Sequence, residues 1–179
     1  RGRRAAGIAA RGAYHFGHPR LGAATQVKHF VDTVGALDDG DCLILDIEPA
    51  SRRDGITAQP AEVAAFTKAF CDGLRAATAL PKERVFVYTG SWFWNYAAGG
   101  SDIVADYPLW LSAYSATMPA PSRGWDKWTL WQFTDHARLP GISGPVDCSV
   151  GNLPFSAGAA TTPRRSGATR HAAAQRRTL

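Results

Sequence analysis

Asp46 and Glu48 stand two residues apart at the end of an otherwise apolar run, "CLILDIEPA". Charge beside Leu and Ile is costly unless something uses it. Side chains alternate along a strand, so Asp46 and Glu48 point one way while Leu45 and Ile47 point the other. Their Cα atoms would lie roughly 6.5 Å apart. Pro49 ends the strand just beyond them. Two like charges this close favour keeping a proton on one of them, which is what a general acid requires near neutral pH. The pattern does not say which. It is also compatible with two solvated carboxylates, with pairing to Arg52 or Arg53, and with a magnesium or manganese site. No further Asp, Glu or His cluster lies nearby in sequence to complete a metal site.

The elements that must position the pair follow from periodicity. "GAYHFGHP" (12–19) is an apolar and aromatic run bounded by Gly and Pro and predicts a strand ending near Phe16. Val27, Phe30, Val31 and Val34 then fall at helical spacing, with Gly35 as a C-terminal cap. After the strand "CLILDIE", Val63, Phe66, Phe70 and Leu74 mark a second helical face, and Pro60 suits its first turn. "RVFVYTG" (84–90), "PLWLSAY" (108–114), "WTLWQFT" (128–134) and "GPVDCSV" (144–150) read as further strands with little helix between them. Strand–helix alternation predicts a parallel sheet with right-handed crossovers. Near-continuous apolar strands predict cover on both faces. The expectation is an α/β barrel whose last strands are joined by loops. Six strands are counted, where a closed eight-stranded barrel needs two more. In parallel α/β sheets sites gather at the C-terminal ends of the strands, where Asp46 and Glu48 lie.

The 179 residues suffice for one domain with a sizeable core. No apolar stretch is long enough to span a membrane, and no signal peptide is visible. The net charge of +5 is unevenly spread. Arginines crowd residues 1–11 and 164–177, whereas residues 12–160 carry eleven bases against all fifteen acids, a net of −4. The basic pI is therefore a property of the ends and does not point to a nucleic-acid partner. From about Ser156 large apolar residues all but disappear, so 156–179 is expected to be a disordered basic tail or linker. Cys42, Cys71 and Cys148 match no zinc or redox spacing. Cys42 and Cys71 are expected to be buried, and a single disulfide is left open. All six Trp fall between 92 and 131. Trp128 and Trp131 are expected in the core, and Trp110, near a strand end, in a groove. His15 fits either a ligand contact or a satisfied strand histidine.

Six blocks in order, "GAYHFG", "LILDIE", "VFVYTGSWFW", "PLWLSAY", "WTLWQFTD" and "GISGPVDCSVGN", resemble the glycoside hydrolase family 25 lysozymes, the Chalaropsis-type N-acetylmuramidases. The resemblance runs from about Gly7 to Asn152. It implies an irregular, TIM-like β/α barrel and cleavage of the β-1,4 bond between N-acetylmuramic acid and N-acetylglucosamine in peptidoglycan, without a metal or other cofactor. It implies that Glu48 is the general acid and Asp46 its companion carboxylate. It further implies that Asp147 lines the site and that Tyr14, Tyr88, Trp110, Tyr114 and Gln132 lie near the sugar-binding groove. Two carboxyl groups around an oxocarbenium-like transition state are the usual glycosidase arrangement. A pair on one strand suits substrate assistance better, in which the sugar's acetamido group attacks, Asp46 orients it and Glu48 serves as acid and base. The implied partner is the peptidoglycan glycan strand, with no nucleic acid and no membrane. The implied setting is extracellular or in the cell wall, and a monomer is expected.

The chain departs from the family pattern at its start. The family's first two strands, one carrying an active-site Asp, have no counterpart, so residues 1–155 read as a partial catalytic domain. An opened barrel exposes strand edges and apolar interior. Net domain stability is only about 5–15 kcal/mol, so a chain that is marginally stable and weak or inactive as an enzyme is expected. A glycan-binding remnant and, more remotely, a metal-dependent phosphodiesterase on a similar barrel are the alternative readings.

Overall fold

In the computed structural model, residues 10–49 and 58–155 are described. The expected tail (156–179), the Arg-rich start before Ala10 and the pairing with Arg52 or Arg53 lie outside them.

Six strands form one sheet in chain order. They are β1 (Arg11–Phe16), β2 (Asp41–Asp46), β3 (Val85–Gly90), β4 (Leu109–Ser112), β5 (Leu130–Ala137) and β6 (Val146–Gly151). Helix α1 (Ala23–Val34) joins β1 to β2, and α2 (Pro60–Thr78) leads towards β3. A short helix, α3 (Ser91–Ala97), follows β3 directly. The expected all-parallel sheet holds for β1 to β5, whereas β6 runs antiparallel to β5. Only residues 138–145 connect the last two strands, too few for a parallel crossover. Helix α3 was not expected from the sequence. Seven residues carrying four aromatics show no sustained apolar period.

The sheet curls as an open half-barrel, with β1 and β6 as its edges among the described residues; a closed barrel is not formed by them. Its convex face carries Leu43, Leu45, Ile47, Val85, Val87, Leu109 and Leu111, all essentially without solvent contact. They pack against Val27 and Phe30 of α1, Val63, Phe66, Phe70 and Leu74 of α2, and Trp94 of α3. The concave face holds a smaller apolar floor of Cys42, Ile44 and Phe86, flanked by Leu130, Leu153 and Phe155. Strand β2 is thus covered on both sides, which explains its unbroken apolar run.

Polar groups set the strand ends. Arg11 Nε donates to Asp41 Oδ1 at 2.7 Å, tying the start of β1 to that of β2, and a second nitrogen reaches Asp38 at 3.2 Å. Arg11 therefore belongs to the sheet and not to a solvated basic end. At the other end of β1, buried Gln26 of α1 accepts from the His18 amide and donates to the His18 and Leu21 carbonyls, each at 3.0 Å. Gly17 lies where a Cβ would come within 2.8 Å of Leu45 and 2.9 Å of Phe66, so the chain passes close over the core there. Helix α2 begins as the sequence predicts, with Pro60 in its first turn. The Gln59 amide donates to Glu62 at 2.7 Å in a capping box.

Candidate active site

Even-numbered residues of β1 to β4 face the concave side, and their C-terminal ends open into a cleft of about 610 Å³. Asp46 is the last residue of β2 proper. The pairing runs on for one step, because the Ile47 amide donates to the Tyr88 carbonyl at 2.9 Å. Ile47 is fully buried on the convex side while Asp46 and Glu48 are half-buried on the cleft side. The alternation expected from the sequence therefore carries both carboxylates into one cleft, although Glu48 lies just past the regular strand.

All eight residues singled out from the sequence line this cleft: Tyr14, Asp46, Glu48, Tyr88, Trp110, Tyr114, Gln132 and Asp147. They come from all six strands and from the segments just after β2 and β4, gathered by the register Asp46–Tyr88–Trp110–Leu130 across the sheet. The Tyr88 hydroxyl donates to Gln132 Oε1. The Tyr88 and Trp110 rings meet edge to face, with centroids 5.9 Å apart. Trp110 Nε1 donates to Ser149 Oγ at 3.1 Å. Tyr14 and Tyr114 stand largely exposed at the two sides. Ser149 is a cleft residue that the sequence reading passed over. Its signal was the alternation with Asp147 on β6. Arg11 and Cys42 also line the deep end and were not anticipated as cleft residues.

Other candidates fall elsewhere. His15 faces the helices, stacks on Phe70 with centroids 5.2 Å apart and hydrogen-bonds Gln26 at 3.0 Å, so it is a satisfied strand histidine. Trp94 and Trp125 are core residues, and Trp128 packs against that core as expected. Trp131 is only partly buried, its Nε1 bonded to the Ala113 carbonyl at 2.7 Å. The three cysteines are free thiols, Cys42 and Cys71 buried, so the disulfide left open by the sequence is not formed. Among the described residues no three His, Cys, Asp or Glu side chains gather as a metal-binding group.

The electrostatics follow from burial. Asp46 is half-buried at the C-terminal end of β2, and desolvation, with the nearby Glu48 charge adding to it, pushes its pKa up to about 7. Glu48 is raised too, by desolvation alone. Burial likewise pushes the Tyr88 phenol up, so it stays a hydrogen-bond donor. Asp46 Oδ1 is buried and has no hydrogen-bond partner among the described residues. A buried acceptor left open in this way costs stability unless a ligand supplies the donor.

The chain is similar to known proteins. Residues 1–142 match the family described as Glycosyl hydrolases family 25. Lysozyme M1 of Streptomyces globisporus is 30% identical, over 76% of this chain and 48% of its own length. The chain spans about half the length of the curated relatives it matches. Among solved structures, a bacterial lysozyme from Streptomyces coelicolor is 25% identical with a TM-score of 0.70, covering 84% of this chain and 70% of that one. A muramidase from Trichobolus zukalii is also 25% identical, with a TM-score of 0.65, covering 80% of this chain and 69% of that one. On the match of most of its length, the chain belongs to glycosyl hydrolase family 25.

Proposed function

We propose that this chain carries the catalytic cleft of a lysozyme that hydrolyses the β-1,4 bond between N-acetylmuramic acid and N-acetylglucosamine in peptidoglycan. The same reading makes the curled sheet the larger part of an irregular β/α barrel. It places the protein's work outside the cytoplasm, at the cell wall, where its substrate lies. The observation that carries the proposal is the buried, unpartnered Asp46 Oδ1 beside a second carboxyl group. An acetamido N–H is a donor of the right kind for the Asp46 carboxylate, which lines the cleft.

Before substrate binds, burial keeps a proton on Asp46 up to about pH 7. When the acetamido N–H of the muramic acid residue donates to Asp46, the ionised form of Asp46 is favoured and the proton resides on Glu48. The acetamido carbonyl oxygen attacks C1 as the C1–O bond breaks. Glu48 gives its proton to the departing sugar oxygen, and Asp46 stabilises the positive charge that develops on the cyclised acetamido group. Water next attacks C1, Glu48 takes its proton, and the acetamido group is released. Tyr88 and Gln132 fix the wall beside Asp46, while Tyr14, Trp110, Tyr114 and Asp147 border the groove in which the glycan lies.

The test is incubation with purified peptidoglycan, followed by borohydride reduction and analysis of the new reducing ends. New ends that are muramic acid, lost in Glu48→Gln and insensitive to chelator, are expected. Glucosamine ends, or full activity of Glu48→Gln, would refute the assignment. Glycan binding without any cleavage would instead support the glycan-binding remnant.

A further inference from the structure

Trp92 is 66% exposed, although an indole gains much from leaving water. Its place is set by Gly90. Alternation along β3 sends Phe86 and Tyr88 to the concave side, so a side chain at position 90 would also face the cleft. A Cβ built there would lie 2.5 Å from Trp92 Nε1 and 2.9 Å from its Cδ1. The indole of Trp92 therefore fills the space that position 90 leaves open, on the cleft side of the sheet and one step nearer the mouth than Tyr88. Asp46 pairs with Tyr88. Two residues on, Glu48 and Gly90 follow at the ends of the same two strands, so the indole, itself outside the residues that line the cleft, stands at the rim on the side where Glu48 enters it.

We propose that Trp92 is a saccharide-stacking residue, against which one sugar of the glycan lays its C–H face while its neighbour is held at Asp46 and Glu48. This rests on the glycan-hydrolase reading above. The C–H face of a pyranose is apolar and weakly positive, and the face of an indole is apolar and weakly negative. Covering a ring already exposed at the cleft mouth removes apolar surface from water without opening the core. Gly90 is part of the device, because any side chain there would displace the ring.

The Glu48→Gln protein allows binding to be measured without consuming the ligand. Its affinity for soluble peptidoglycan glycan strands is read by calorimetry. Adding Trp92→Ala is expected to weaken binding about tenfold, a loss of the size a single stacked sugar supplies. Trp92→Phe should recover most of it. Gly90→Ala should weaken binding as well, by moving the ring. Tyr96→Ala, which removes a ring 86% exposed on the same helix, should leave affinity unchanged. Melting temperature should hold in the Trp92 variants, since the ring is mostly in solvent. Undiminished binding by Trp92→Ala, or an equal loss in Tyr96→Ala, overturns the assignment of Trp92 alone. Failure of the Glu48→Gln protein itself to bind glycan overturns the hydrolase reading and this inference with it.

Discussion

The Tyr88 hydroxyl of β3 donates to Gln132 Oε1 of β5, crossing the strand that lies between them. Gln132 is only 4% exposed, and Tyr88 is the register partner of Asp46. One hydrogen bond therefore ties β3 to β5 across β4 and forms the polar wall beside the carboxylate. Tyr88→Phe removes the donor and keeps the ring against Trp110, leaving a buried acceptor without it. A loss of about 1–3 kcal/mol is expected, read as a lower urea midpoint at unchanged slope. An unchanged midpoint would show that the bond contributes nothing.

Asp46 ties stability to pH. Its pKa is about 7 in the folded chain, raised from 3.8, first by desolvation and then by Glu48. The folded state holds the proton more tightly than the unfolded one. This contribution to stability is fully present below about pH 4 and is lost as pH rises through 7. Asp46→Asn stays neutral throughout. It should melt a few degrees above the parent at pH 8, roughly 2–4 °C after allowance for water at the cleft mouth, with the gap closing by pH 4. A gap that widens towards acid pH would reverse the sign of the argument.

Burial also separates the three thiols. Cys71 is wholly enclosed and its thiol is pushed up, while Cys42 is raised to about 11, first by burial and then by the Asp41 charge. Cys42 donates to the Arg11 carbonyl at 3.4 Å at the deep end of the cleft. Cys148, on edge strand β6, is partly exposed. A thiolate-directed reagent at pH 8 should therefore label one cysteine quickly in the native protein, and mass spectrometry should place it at Cys148. All three should react in denaturant. Rapid native labelling of Cys42 would mean that the cleft floor opens.

What the sequence made legible follows from which signals are local. Strand β2 and helices α1 and α2 were readable because burial on one or both faces forces an apolar period. The shared orientation of Asp46 and Glu48 was readable from alternation alone. The direction of β6 was not, because it depends on the length of the connection from β5. Helix α3 was hidden by its shortness. Alternation did not reveal that Tyr14, Trp110 and Gln132 line one cleft with Asp46; those residues came from the resemblance to a family. Trp92 escaped both routes, since its position depends on Gly90 having no side chain, a fact that exists only in three dimensions.

The mechanism itself makes a distinguishing prediction. If a carboxylate attacked C1, a glycosyl ester on Asp46 or Glu48 would form and could be trapped. Both carboxyls, however, line the same cleft from the same strand end, and Asp46 Oδ1 has no hydrogen-bond partner among the described residues. Under the proposed function the substrate's own acetamido group attacks, and Asp46 stabilises its positively charged cyclised form. Asp46→Asn keeps the size and loses the charge. It should lower kcat by about 10²–10³ while KM changes little, since the interaction strengthens only as charge develops. A thiazoline analogue of the cyclised sugar should inhibit the parent more tightly than the substrate binds, and should lose that advantage in Asp46→Asn. Mass spectrometry of protein quenched during turnover should show no glycosyl adduct. An ester on either residue would transfer the nucleophile's role from the substrate to the protein.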